Sequence, residues 1–280
     1  MGIIVAFLFA VILSGAASAT ESVHFSSDGK NITVTHNYVK STLTTHVTTK
    51  KGYGNYGYGQ YVTLTTSGKD NEGRNTIQTL YSFNGKPKQM IYKLWDSDSN
   101  AKVVANFYNT RAAYTMTGKD SATGATISGT GVSLYRTIAG QKYVGNTTMN
   151  MIYTINGKVL ARITQITTYQ YGAFNGGFQT VKTICTTKSA YAIANFNKKS
   201  VINSYYTRNS VGTLTGMKIS GTSKGTETIN NKLVSFTGKI TISPKYDPKN
   251  IYTEGFSEGD YKEVLTSSSP TLLKFYPIEA

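Results

Sequence analysis

One cysteine, one tryptophan, three histidines and five prolines are all that 280 residues supply of four residue types that commonly carry disulfides, metal sites and chain kinks. The single thiol, Cys185, excludes an internal disulfide framework and any zinc site built on several thiolates. It lies in the strand-like run Thr183-Ile184-Cys185-Thr186-Thr187, which suits either a buried thiol or an intermolecular disulfide. Carboxylates are scarce too: 14 Asp+Glu stand against 29 Lys+Arg, for a formal net charge of +15. Charged residues make up 15% of the chain, well below the roughly 25% of an ordinary globular protein. Disorder is nonetheless excluded, because 39% apolar residues and 12% aromatics can fill a core.

Long apolar runs are missing apart from one. Residues Gly2 to Leu13 are shorter than the ~20 that span a bilayer, and they precede Ala17-Ser18-Ala19, a small-residue cleavage pattern. Residues 1–19 therefore read as a signal peptide, and the mature chain is expected to be secreted or extracellular, in association with a cell surface, with no membrane span of its own.

What remains is rich in Thr, with 27 Gly, 21 Tyr and 11 Phe. Runs such as Asn31-Ile32-Thr33-Val34-Thr35-His36, Tyr61-Val62-Thr63-Leu64-Thr65-Thr66 and Lys239-Ile240-Thr241-Ile242-Ser243 alternate apolar residues with Thr at period two. That is the signature of half-buried strands, in which the β-branch of Thr suits the pleat and its hydroxyl faces water. Asn84-Gly85 and Asn156-Gly157 sit between such runs and predict type I′ hairpin turns, and Asn230-Asn231 is a further candidate. Additional turn signals at Asp96-Ser97-Asp98-Ser99-Asn100, Thr117-Gly118-Lys119-Asp120 and Phe236-Thr237-Gly238-Lys239 predict strands that recur at roughly the 8–12-residue spacing of antiparallel meanders. Local echoes recur at offsets that disagree with one another, which argues against a tandem repeat.

The fold expected is all-β: a hairpin-rich antiparallel meander over residues 20–243, arranged as a sandwich, with a wide soluble β-barrel as the alternative. Residues 244–280 hold four of the five prolines and six of the fourteen acids, and they are expected to pack on this basic body as a mildly acidic segment. Before residue 244 the chain carries 25 Lys+Arg against 8 Asp+Glu, a net of +17.

Motifs for catalysis are thin. His24, His36 and His46 all fall within the first 46 residues, and His36 and His46 could face each other across a hairpin, yet no third ligand accompanies them. Asp96-Ser97-Asp98-Ser99-Asn100 opens like a calcium loop but continues with Ala101 and Phe107 where the motif needs Gly and Glu, so a plain turn is favoured. Glu254, Glu258, Asp260 and Glu263 are the carboxylates a glycosidase would draw on, but spacing does not show that any two face each other. No cofactor or metal is expected.

The distinctive feature is aromatic. Lys50-Lys51 precede Tyr53, Tyr56, Tyr58 and Tyr61, with Gly at 54, 57 and 59, and the run Tyr169 to Phe178, with Tyr171 and Phe174, is similar in composition. Flat rings with polar tips beside cations suit glycan faces and anionic polymers. Lys50, Lys51, Tyr53, Tyr56, Tyr58, Tyr61, Tyr171 and Phe174 are the candidate ligand-binding residues, and a regular strand is not expected through the glycines. Stacking on single-stranded nucleic acid would use the same groups, but an exported chain rarely meets that partner. The composition is similar to that of adhesin-like surface proteins, a likeness that carries no residue role across. Three functions follow as expectations: a non-catalytic surface or matrix protein binding anionic or glycan polymers of a cell envelope, an extracellular polysaccharide hydrolase, or a filament subunit that self-associates through its edge strands.

Overall fold

The computed structural model describes residues 21–26, 31–38, 42–70, 73–172, 178–191, 194–208, 214–229, 232–246 and 256–267. These form β1 (Glu21–Phe25), β2 (Asn31–Tyr38), β3 (Thr42–Gly54), β4 (Gly57–Lys69), β5 (Asn75–Phe83), β6 (Lys86–Trp95), β7 (Ser99–Phe107) and β8 (Arg111–Asp120). They continue as β9 (Ala125–Ile138), β10 (Gln141–Ile155), β11 (Lys158–Tyr171), β12 (Thr180–Tyr191), β13 (Ala194–Arg208), β14 (Leu214–Ile229), β15 (Lys232–Tyr246) and β16 (Phe256–Ser267). The all-β, antiparallel, hairpin-rich expectation holds. The expected signal peptide and cleavage site lie outside the described residues.

All 16 strands belong to one sheet in the order β1-β2-β16-β15-β14-β13-β12-β11-β10-β9-β8-β7-β6-β5-β4-β3. From β3 to β16 each strand pairs with its successor, because short turns close antiparallel pairs without a crossover. The meander is open: β1 and β3 are its two edges, so it does not close into a barrel. All of its strands belong to one continuous sheet, whereas a conventional sandwich divides its strands between two hydrogen-bonded sheets.

Alternation gives this sheet an inner face. Val47, Leu64, Leu80, Met90, Ala105, Tyr114, Gly131 and Met149 are register partners in succession across β3 to β10. From Met90 to Met149 the row is buried, with Ala105 at 0% and Met149 at 2% exposure. Burial of each such Met stabilises the fold by roughly 1.5–3 kcal/mol. No helix occurs among the described residues. Burial raises the phenol of Tyr169 on β11 well above its ordinary value, with Tyr171, Cys185 and Tyr114 adding to the rise. Hydroxyls inside the layer satisfy one another, as in the 2.6 Å hydrogen bond between Ser133 and Thr147. Cys185 is a free, half-buried thiol on this face, where it accepts a 3.5 Å contact from the Thr167 hydroxyl.

Turn chemistry matches the sequence where Asn-Gly occurs. Asn84 and Gly85 have φ of 48° and 72°, and Asn156 and Gly157 have 49° and 75°, as type I′ turns require. Ala139-Gly140 adopts the same left-handed pair, at 48° and 77°. Sequence reading passes over it because Ala at positive φ costs about 1–2 kcal/mol. Asn230 and Asn231 lie outside the described residues.

One long-range pairing, β2 with β16, departs from a simple meander. β2 pairs with β1 and β16 rather than with β3, so His36 and His46 do not face each other across a hairpin. Part of the Pro-containing segment forms β16, which is paired on both sides, with β15 and β2, and Pro244 lies within β15 opposite Gly259.

Candidate functional site: an aromatic, basic end of the sheet

Because every strand from β3 onward reverses the last, successive turns alternate between the two ends of the sheet. The turns closed by Gly54/Gly57, Phe83/Lys86, Phe107/Ala112, Ile138/Gln141 and Tyr171/Val181 share one end. There the chain places Tyr53, Tyr56, Tyr58, Phe83, Tyr108, Tyr143 and Tyr171 together with Lys86, Lys88, Arg111, Arg136 and Lys142. None of these turns or their flanking residues carries a carboxylate among the described residues. The sequence has none at all between Asp120 and Glu227.

The opposite end holds Asp70, Asp96, Asp98 and Asp120, and most of these are committed to local structure. Asp70 accepts from Arg74 through both Nε and Nη2, at 3.0 and 2.9 Å, in a buried pair. Asp96 Oδ1 accepts from the backbone N–H of Asp98 and Ser99, which makes the Asp96–Asn100 segment a turn with its first carboxylate occupied. Asp120 caps the next turn, and the Thr123 hydroxyl together with nearby backbone N–H groups lowers its pKa.

The candidate residues 50–61 form the tip of the β3–β4 hairpin rather than an irregular loop. Strand pairing runs through Gly52↔Gly59 and Tyr53↔Tyr58 to Gly54↔Gly57, leaving only Asn55 and Tyr56 in the turn. Close approach explains two of the glycines. A Cβ on Gly54 would meet the Tyr61 ring at 2.7 Å, and a Cβ on Gly59 would meet the Phe83 ring at 2.5 Å. The strand therefore continues because those positions lack side chains, and each ring packs closely against backbone.

The six residues divide into two roles. Tyr53 and Tyr58 are cross-strand neighbours with ring centroids 5.1 Å apart, and Tyr53 is 84% exposed. Lys51 is two residues along on the same face of β3, and it is exposed. On the other face Tyr61 braces the tip: its hydroxyl donates to the Gly57 carbonyl at 2.6 Å and accepts from the Tyr56 N–H at 3.1 Å. Phe83 packs against Tyr61 at 4.9 Å and Tyr56 at 5.9 Å, and Lys88 Nζ stands 5.2 Å over the Tyr56 ring. Lys50, paired with Tyr61, completes a tip with cations on both faces.

Phe83 and Lys88 are absent from the candidates that sequence pattern supplies. Their signal is present all the same, since the Asn84-Gly85 turn announces a hairpin directly after β4. Asn84 ties the two hairpins together: its Oδ1 accepts from the Gln60 N–H, and its own N–H donates to the Gln60 carbonyl, both at 2.8 Å.

Tyr171 belongs to a second cluster, with Phe178 at 4.5 Å and Tyr143 at 5.5 Å, and Tyr143 lies 4.6 Å from Phe178. Its hydroxyl donates to the Val144 carbonyl at 2.8 Å and Phe178 is only 7% exposed, so this group is packed. Phe174 and Glu254 lie outside the described residues. Glu258, Asp260 and Glu263 lie along β16, far from β3 in the pairing order. Comparison of the chain with protein-family models and with curated proteins finds no match.

Proposed function

We propose that the protein is a non-catalytic binding protein of the cell exterior that holds anionic or glycan polymers of a cell envelope at the β3–β4 hairpin tip. The carrying observation is the exposed Tyr53–Tyr58 pair with Lys51 on its own face and Lys50 and Lys88 on the other, beside hairpin turns from β3 to β12 that carry no carboxylate among the described residues. Rings kept in solvent lose hydration cost when a sugar face covers them. The surrounding cations draw in a polyanion by a field that salt screens over about 10 Å at 0.1 M ionic strength.

Titration of a labelled anionic polysaccharide tests this reading. Changing Tyr53, Tyr56 and Tyr58 together to Ser is expected to weaken binding by orders of magnitude, at roughly 1–3 kcal/mol per stacked ring by analogy with base stacking. The melting temperature should barely move. Binding that survives the triple change, or that is the same at low and high ionic strength, overturns the assignment.

A further inference from the structure

We infer that β3 is the interface of a two-fold homodimer, in which the free edge of β3 pairs antiparallel with the same edge of a second copy of this chain. Four observations converge on it.

First, β3 is long and open. Among the described residues it has one neighbour, β4, and its residues from Thr44 to Lys51 are exposed on both faces. Such an edge presents a row of N–H and C=O groups to any partner of matching register.

Second, the hairpin turn fixes which groups face outward. Gly54 and Gly57 flank a two-residue turn and form a hydrogen-bonded pair, so the even-numbered residues of β3 bond to β4. The odd-numbered residues Leu43, Thr45, Val47, Thr49 and Lys51 direct their backbone groups to the free edge. A two-fold axis at Val47 places Val47 opposite its own copy, Thr45 opposite Thr49 and Leu43 opposite Lys51. Odd residues then meet odd residues, and every facing pair can exchange both backbone bonds.

Third, side chains favour that register. Val47 ends the inner-face row of Leu64, Leu80 and Met90, yet it is 55% exposed. The mate's Val47 covers it and joins the two inner rows into one. The same register sets Lys50 and Lys51 opposite Thr44 and Leu43, whereas sliding the axis to Lys50 or Lys51 opposes like charges.

Fourth, this register keeps the basic tips of two positively charged copies apart. Antiparallel pairing sets the basic, aromatic tip of one copy beside the mate's β4–β5 end rather than beside the mate's own tip. The two aromatic tips then point in opposite directions. If the polymer-binding reading above holds, such a dimer bridges two polymer strands rather than gripping one.

The test needs no polymer. Sedimentation of the purified chain at rising concentration should give the mass of two copies, and the dimer should tighten as salt screens the net charge, opposite to the response of polymer binding. Val47→Pro, which removes an outward-facing N–H and leaves the β4 bonds intact, should return the mass to one copy with unchanged circular dichroism. In a Cys185→Ser background, Val47→Cys should oxidise to a covalent dimer while Thr48→Cys should not. A monomer at all concentrations overturns the proposal, as does a dimer that Val47→Pro leaves intact. Open-ended growth overturns it too, since that is the product of β3 pairing with β1 of the next copy. Should polymer binding fail while the dimer stands, only the bridging role is lost.

Discussion

The two aromatic clusters have similar compositions and lie at the same end of the sheet, but one is open and the other closed. At the β3–β4 tip the glycines admit two rings onto the backbone, and Tyr53 and Tyr58 are left standing in solvent on the other face. Around Tyr171 the rings of Tyr143 and Phe178 fill the space, and the Tyr171 hydroxyl bonds to a carbonyl of the adjacent strand. The difference lies in the neighbours: β3 is an edge, while β11 has β10 on one side and β12 on the other. The aromatic run of the edge hairpin keeps Tyr53 and Tyr58 exposed, while the one beside β11 is packed.

Alkaline titration should sharpen this contrast most, because it acts on phenols that the interior keeps neutral. Burial raises the pKa of Tyr114 and raises Tyr169 strongly, and it also raises Tyr135. Their stabilisation is complete below the ordinary phenol value of about 10 and is lost as pH climbs through the folded-state values. Thermal melts between pH 8 and 12 should show a steep fall in melting temperature only above pH 10. A fall that sets in near neutrality would disprove this cause.

Smaller perturbations separate the clusters residue by residue. Phe178→Ala should destabilise the fold by about 3–5 kcal/mol, the usual cost of emptying a buried aromatic site, and should leave the hairpin's affinity per folded molecule unchanged. Denaturant melts read the first and titration with the labelled polysaccharide the second. At the open cluster Gly59→Ala should cost about 1–3 kcal/mol, because the new methyl displaces Phe83, and should also weaken binding by moving Tyr56. Tyr61→Phe is the mildest change: it removes a hydroxyl that donates to Gly57 and accepts from Tyr56, worth about 0.5–1.5 kcal/mol. Its signature is a looser tip, read as weaker binding with a nearly unchanged melting temperature. Equal loss of binding from Phe178→Ala and Gly59→Ala would erase the distinction between the clusters.

Local chemistry alone makes much of this legible. Thr alternation fixes period-two strands such as β4 and β15, and Asn84-Gly85 and Asn156-Gly157 fix turns, since both depend only on adjacent residues. The same reasoning locates Lys50 to Tyr61 but mistakes its glycines for strand breakers, because the rings that need those gaps come from Tyr61 and from Phe83 on the next hairpin. It also passes over Lys88 and treats Tyr61 as a free ring.

Composition and local pattern are enough to specify an all-β chain, its hairpins, its basic charge and the presence of two aromatic runs. Which end of the sheet each turn occupies, which strands are edges, and that β2 leaves β3 to pair with β16 emerge only when the whole chain is folded. Turn type is set within a few residues, but every hairpin reverses the chain, so one strand more or fewer would send all later turns to the opposite end. Edges likewise depend on pairings between segments more than two hundred residues apart, such as Asn31 with Thr266, which no local pattern encodes.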